Sequence, residues 1–391
     1  MPYLPSHHHR AVAVLLALLP LPSAWAQCWP DNADNGKADY YLVNGAINQP
    51  IPEIVFDLPG NSLGTGGRVV SSTVNNRGNN NTLANHVRFR LSVSNKTTKR
   101  VVMSANSATP LTCTTCSSSV TIPFSKIGWQ ENPTNETKGS VPADGQFNNG
   151  SQTWITANPK DDSIFNLQFD FLNDTVYPAG TYTGEFRTRE PTMTRYTAYL
   201  ILLTMLIPMS ADAVRVDCED NSTAELPVKV KLTVPAFLFL QVGNANQTAE
   251  LTYNVSTNLS SGAYTGAIPP AGESGLAPSS ITGSDVSNGV NVAVRANCGQ
   301  VKIAYSVTDN NGLANGQGQF IPYETLQTST SDSGLPAPTL RNATNAESLV
   351  STSSYGSVTD RKAVWQYTYT NSALPAAGTY QGTVTYQASC L

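Results

Sequence analysis

The chain has 391 residues, of which 13% are charged, and a formal net charge of −4. So sparse and slightly acidic a field excludes nucleic acid and an anionic membrane surface as partners. Asn, Thr, Ser and Gly fill the polar positions, which suits strands and turns on an exported surface, and regular Val/Tyr/Phe alternation argues against disorder outside the loops.

The chain opens on an export signal over residues 1–26. Basic and polar residues run through Arg10, an apolar stretch continues from Ala11 to Leu19, and Pro20, Pro22 and the small-residue site Ala24, Trp25, Ala26 close it. Cleavage is expected between Ala26 and Gln27. A second segment of the same design occupies about 193–213: Met193, Thr194 and Arg195, an apolar run from Ala198 to Met209, then Ser210 to Ala213, with cleavage expected between Ala213 and Val214. Its apolar core is roughly a dozen residues, interrupted by Thr204 and Pro208, against the about 20 needed to span a bilayer. Both are expected to be helical signals; the competing reading of the second is a buried strand or helix that joins two domains. Export of the first half would carry Arg195 to the far side, so both signals cannot act on one translocating chain. Met193 therefore reads as a former start codon, and the chain as two exported precursors fused by read-through or by a sequence error.

Removing the signals leaves modules of about 160 residues (27–190) and about 180 residues (214–391), each long enough to bury a core. Strand signals dominate both, and the expected fold class is all-β. In the first, residues 54–56, 87–93, 99–103, 120–124 and 167–171 combine β-branched or aromatic side chains with period-two alternation. In the second, Val228, Val230, Leu232 and Val234 alternate with Lys229, Lys231 and Thr233, and the chain turns at Pro235. Val290, Val292 and Val294 repeat the pattern, as do Val301, Ile303, Tyr305 and Val307, with a turn expected at Asn297, Cys298 and Gly299. Residues 75–81, 131–150 and 262–287 read as loops.

One internal repeat needs no gaps. LQFDFLN (167–173) with PAGTYTG (178–184) matches WQYTYTN (365–371) with AAGTYQG (376–382). It encodes strand, Pro/Gly corner, strand. The second copy continues as Val384, Tyr386, Ala388 and Cys390 on one face. The first departs into Glu185, Phe186, Arg187 and Pro191, whose charges and proline are expected to spoil a core strand, as a fusion would leave.

Of six cysteines, Cys28, Cys113 and Cys116 fall in the first half and Cys218, Cys298 and Cys390 in the second. Export makes disulfides the default, with the pairing left open. Cys113 and Cys116 have redox-motif spacing, but no helix comes after them to depress a thiol pKa, and neither a second such pair nor paired histidines are present to complete a zinc site. His86 is the only histidine outside His7, His8 and His9 of the first signal, so a catalytic triad or metalloprotease site has little to build from. Gly64, Gly66 and Gly67 lack the succeeding helix and lysine of a phosphate loop. Neighbouring carboxylates such as Asp161 and Asp162, or Glu219 and Asp220, point opposite ways on a strand and read as solvated turn residues rather than a glycosidase pair. No catalytic, metal or cofactor site is expected. Trp129, Trp154 and Tyr177 lie near loops, where they would stack on sugars or else pair within the core.

At the repeat the sequence resembles bacterial fimbrial subunits of the chaperone-usher kind, and within them the colonisation-factor, or alpha, group. VKVKLTVP (228–235) with LQVG (240–243), NKTTKRVV (95–102), IPFS (122–125) with Trp129, and both AGTYxG segments carry the likeness. Pilins of this class end in an alternating apolar strand with a glycine near its start, a role that falls here on Gly378, Tyr380, Gly382, Val384 and Tyr386; Cys390 departs from the aromatic commonly found there. The resemblance implies two immunoglobulin-like sandwiches, each incomplete until a neighbour donates a strand. It implies other subunits, a periplasmic chaperone and an outer-membrane usher as partners, and a route through the periplasm to a fimbria on the cell surface. The Val228 to Val234 run is either such a donor or the ordinary first strand of its own module. A structural fimbrial subunit is the expected function; a secreted carbohydrate-binding adhesin or tip subunit that binds glycans is the alternative.

Overall fold

The computed structural model describes residues 53–72, 85–92, 100–116, 118–133, 137–158, 160–189, 225–255, 275–342, 346–370 and 375–391. Both expected signals, the cleavage residues Ala26, Gln27, Ala213 and Val214, and Cys28 and Cys218 lie outside these. Among the described residues the regular structure is β, apart from three short 3-10 turns, and no helix is long and apolar enough to cross a membrane.

The strands in chain order are β1 (Ile54–Asp57), β2 (Gly67–Val70), β3 (His86–Ser92), β4 (Val101–Asn106), β5 (Leu111–Cys113), β6 (Thr121–Ile122), β7 (Ile127–Glu131), β8 (Gly145–Gln146), β9 (Ser151–Ala157), β10 (Asp162–Asn173), β11 (Gly180–Arg189) and β12 (Glu225–Val234). Next come β13 (Leu238–Val242), β14 (Glu250–Thr252), β15 (Ser280–Thr282), β16 (Val290–Ala296), β17 (Val301–Val307), β18 (Leu313–Ala314), β19 (Phe320–Ile321), β20 (Leu326–Thr330), β21 (Glu347–Val350), β22 (Thr359–Tyr369) and β23 (Val384–Cys390).

The first core lies between two sheets, one ordered β1-β12-β11-β4-β9 with β5 and β6 attached, the other β2-β10-β7-β8 with β3 attached. Alternation decides what faces inward: Val87, Phe89 and Leu91 of β3 and Leu167, Phe169 and Phe171 of β10 are buried. Aromatic rings fill the centre, with Phe147 and Phe186 at 4.8 Å and Trp129 edge-on to Phe147 at 4.9 Å. Phe147 belongs to the Asn/Gly-rich stretch that reads as loop, yet β8 beside it pairs with β7, and the Trp129 indole donates to the Ala143 carbonyl at 2.9 Å.

The second core is enclosed by the sheets β13-β16-β22-β20 and β21-β17-β23, with β14-β15 and β18-β19 as two-stranded additions. The 297–300 bend is not the hairpin turn expected from sequence. It carries the chain from β16 in one sheet to β17 in the other, so the flanking runs of alternating valines line opposite walls of one core.

Two further expectations are corrected. β11 continues unbroken to Arg189 despite the charges after Gly184. Period two survives: Phe186 and Thr188 point inward and are buried, while Glu185 and Arg187 pair on the outer face at 2.7 Å. Asp162 is not a solvated turn residue. It stands at the start of β10 and accepts a bidentate Arg90 fork at 2.8 and 2.9 Å, with Lys138 at 2.6 Å.

Burial works against ionisation of Asp162, but hydrogen bonds and charge from Arg90 and Lys138 outweigh it and hold the carboxyl below its ordinary value. A depressed folded-state pKa means this contribution is complete above the unfolded value near about 3.9 and is lost as pH falls through the folded one. Acid titration of unfolding should therefore show a destabilisation below about pH 4 that Asp162→Asn removes.

Four of the cysteine candidates form two disulfides, Cys113–Cys116 and Cys298–Cys390. Their sequence separations are 3 and 92, so the second constrains the unfolded chain far more. Urea unfolding should show a loss of about 4–5 kcal/mol for the Cys298→Ser/Cys390→Ser pair and about 2 kcal/mol for Cys113→Ser/Cys116→Ser.

Candidate functional site

The residues proposed from sequence as a strand donor lie in β12, and β12 packs into the first core rather than the second. Leu226, Val228, Val230, Leu232 and Val234 are at most 2% exposed there. On one edge β12 runs antiparallel to β11 along its whole length, Gly180 opposite Val234 through to Arg189 opposite Glu225. On the other it runs parallel to β1, with Ile54 opposite Val230 and Asp57 opposite Thr233. Lys229, Lys231 and Thr233 face away from the core. Pro227 is tolerated because β1 pairs only with residues 230–233, which leaves the second edge of β12 at Pro227 without a ladder to interrupt among the described residues. Each fully buried valine or leucine contributes roughly 1.5–3 kcal/mol, so this strand is among the main supports of the first module.

The internal repeat offers a built-in comparison. Tyr182 donates its hydroxyl to the Pro178 carbonyl at 2.9 Å, and the matching Tyr380 donates to Ala376 at 2.9 Å. A Cβ on Gly184 would meet Leu111 at 2.7 Å, and one on the matching Gly382 would meet Leu313 at 2.8 Å and the Tyr323 hydroxyl. The corner of the repeat thus shares its tyrosine hydroxyl bond and its close-packed glycine, although Tyr182 is buried and Tyr380 is not.

Beyond the corner the two copies diverge. β11 has β12 along one edge, and its inward Tyr182, Phe186 and Thr188 are buried. β23 starts only at Val384, and among the described residues its sole hydrogen-bonded neighbour strand is β17. Val384, Tyr386, Ala388 and Cys390 are only half-buried. Across from them stand Leu238, Leu240 and Val242 of β13, also half-buried and paired only with β16 among the described residues. β13 and β23 are close but share no ladder. Among the described residues their facing edges carry no ladder, at the place where β12 lies between β1 and β11 in the first module; because β13 and β23 approach within 8 Å, a strand entering there has to part them.

The inner face of β23 is anchored by Tyr386, whose hydroxyl lies 2.9 Å from that of Tyr367 and whose ring is edge-on to Trp365 at 5.1 Å. Burial pushes the Tyr386 phenol up to about 12, so the pair stays neutral across ordinary pH. Gly378 and Tyr380 stand in the approach to β23 rather than in the strand itself. Residues 381–383 are tethered by the mutual Ala314–Gln381 backbone bonds and by Thr383 with Thr308.

The other sequence candidates do not gather into a second site. Trp129, Trp154 and Tyr177 are buried at 4%, 6% and 3% exposure, which removes all three as sugar-stacking platforms. Burial pushes the Tyr177 phenol up to about 12. His86 is buried in β3 with its Nε2 2.8 Å from the Asn132 amide nitrogen. Gly64 and Gly66 adopt φ of 73° and 84° in a turn that leads into strand β2, not into a helix. Among the described residues no group of His, Cys, Asp or Glu is arranged to hold a metal.

No family model matches the chain, and no curated protein matches it in sequence. Among solved structures it is similar to the CsuC–CsuE chaperone–tip adhesion subunit pre-assembly complex from archaic chaperone-usher Csu pili of Acinetobacter baumannii. That likeness has 11% identity over 89% of this chain and 99% of that one, with a TM-score of 0.26. A chaperone–tip adhesin complex of CFA/I fimbriae biogenesis is similar at 7% identity over 91% of each chain, with a TM-score of 0.25. At those scores the chain's own geometry has to carry the functional reading.

If β12 holds the first module together, a charge on its inner face should unfold that module alone. Leu232→Asp is expected to abolish the cooperative melting of the first module and expose residues 54–189 to protease, while the second module keeps its transition.

Proposed function

We propose that this chain is a structural subunit of a surface fimbria assembled by strand donation. The observation that supports it is the pair of facing edges on β13 and β23 that share no ladder among the described residues, set against β1 and β11, which β12 joins in the same chain. Two such edges leave backbone groups without ladder partners above a half-buried apolar row, and one incoming β-strand that parts them would satisfy both. A periplasmic chaperone would cover it in transit, and a strand from the next subunit would replace the chaperone at the usher.

Strand order favours immunoglobulin-like modules. β13-β16-β22-β20 matches the A-B-E-D sheet of that sandwich, and β17-β23 matches C-F with position G vacant. In the first module β12 occupies G, antiparallel to β11 as the seventh strand of a complete sandwich would be. The tyrosines at the repeat corner, bonded to carbonyls four residues back, fit the same scheme.

The chain then corresponds to two successive fibre subunits written head to tail. The arm of the second, beginning after the signal-like segment 193–213, completes the first. Joined or cut after Ala213, the pieces make the same pairing. The adhesin alternative loses its aromatic platforms to the core.

Exported in a host with a matching chaperone and usher, the chain should co-purify with the chaperone and appear in fibres by immunoelectron microscopy. Ala388→Asp or Leu240→Asp, which put charge on the facing apolar rows of β23 and β13, should abolish both while the first module stays folded. Fibres that form normally with either variant would overturn the proposal.

A further inference from the structure

The two modules also meet at a corner that strand pairing does not require. Asn297, in the bend between β16 and β17, is 1% exposed and has all its polar groups engaged. Its side-chain oxygen accepts the Phe237 N–H at 2.9 Å, and its amide donates to the Pro235 carbonyl at 3.0 Å and the Tyr177 carbonyl at 3.1 Å. Its backbone N–H donates to the Phe237 carbonyl at 3.3 Å, and its own carbonyl accepts the Ala179 N–H at 2.9 Å. Two of these bonds cross to the first module, at the Pro178 corner of the repeat. The other three clamp residues 235–237, the short connection between β12 and β13.

A second contact lies beside it. Tyr355 and Gly356 form the tip of a hairpin with φ of 52° and 67°. Glycine, asparagine or aspartate is the usual occupant of such a tip, and a bulky aromatic there is held in a conformation that L side chains rarely adopt. The Tyr355 ring meets Tyr177 of the first module, with centroids 5.6 Å apart and planes tilted by 38°. Strain of this kind persists where the surrounding contacts over-determine it.

We propose that Asn297 and Tyr355 form an orientation and specificity lock: β12 supplies the grip on the first module, and this corner selects which module sits behind it and at what angle. The partner surface is the 177–179 corner, which presents two backbone groups and one tyrosine ring. A module that carries the same strand without this corner would attach but swing about residues 235–237. The inference rests on the strand-donation reading for its role in a fibre, although the lock itself is a property of this chain alone.

The test uses the full chain with Asn297→Ala and, separately, Tyr355→Gly. Asn297→Ala should raise the rate of protease cleavage at 235–237 by about tenfold, the factor that goes with losing about one net hydrogen bond, and Tyr355→Gly by about two- to tenfold, the factor that goes with one aromatic pair. Both should also shift small-angle X-ray scattering from a single shape to a broader ensemble, with the first module's melting unchanged. Tyr355→Gly relieves the backbone strain, so the second module should melt no lower than in the parent, an outcome that a purely structural role for the tyrosine would not give. Should Asn297→Ala unfold the second module, Tyr355→Gly alone decides. Parent-like cleavage and scattering for Tyr355→Gly would overturn the lock. Folding of the first module despite Leu232→Asp would instead sink strand donation and leave the lock standing.

Discussion

An amphipathic strand cannot leave its apolar row in water, and a sheet edge cannot leave its amides unpaired in a core. Every other feature of this chain depends on how those two demands are met at β12. Its five inward side chains close the first core, and its backbone joins β1 to β11, which would otherwise be separate edges facing a gap. The same demands go unmet at β23, where the inward row is only half covered and one rim is bare among the described residues. One chain thus holds one sheet edge that is paired and one that is not, and the difference between them is a single strand.

Much of this is legible in the sequence because period two is a strong signal. Val228 to Val234, Val290 to Val294 and Val301 to Val307 read as half-buried strands and are strands. Periodicity tells which residues share a face, not which core that face meets, so the partner of β12 stays open between two modules. The direction of the bend at Asn297 is hidden for the same reason: valine runs on both sides fit a hairpin as well as a crossing between sheets. Only the three-dimensional closure of each core separates the two.

Where sequence and structure part, composition had outweighed pattern. Asn and Gly around Phe147 signal loop, and they hide a ring at the centre of the aromatic cluster. Glu185 and Arg187 look hostile to a core strand, yet both sit on the outward phase while Phe186 keeps the inward one. Trp129, Trp154 and Tyr177 lie near sequence loops but their side chains point into the core, because a sandwich buries the ends of its strands as well as their middles. The lock at Asn297 has no sequence signal: an asparagine before Cys298 and Gly299 is ordinary turn chemistry, and its partners at 177–179 and 235–237 are distant in the chain.

The disulfide between Cys298 and Cys390 joins the bend that holds Asn297 to the last residue of β23, the strand whose outer edge has no ladder among the described residues. That wall is otherwise secured along its length by β17 alone among the described strands. Oxidation therefore ties the end of β23 to the bend, and a reduced chain would leave that edge free to fray. On the strand-donation proposal, competence to receive a neighbour would be coupled to an oxidising space, and a reduced molecule would be a poor acceptor by its own chemistry rather than through a separate guard.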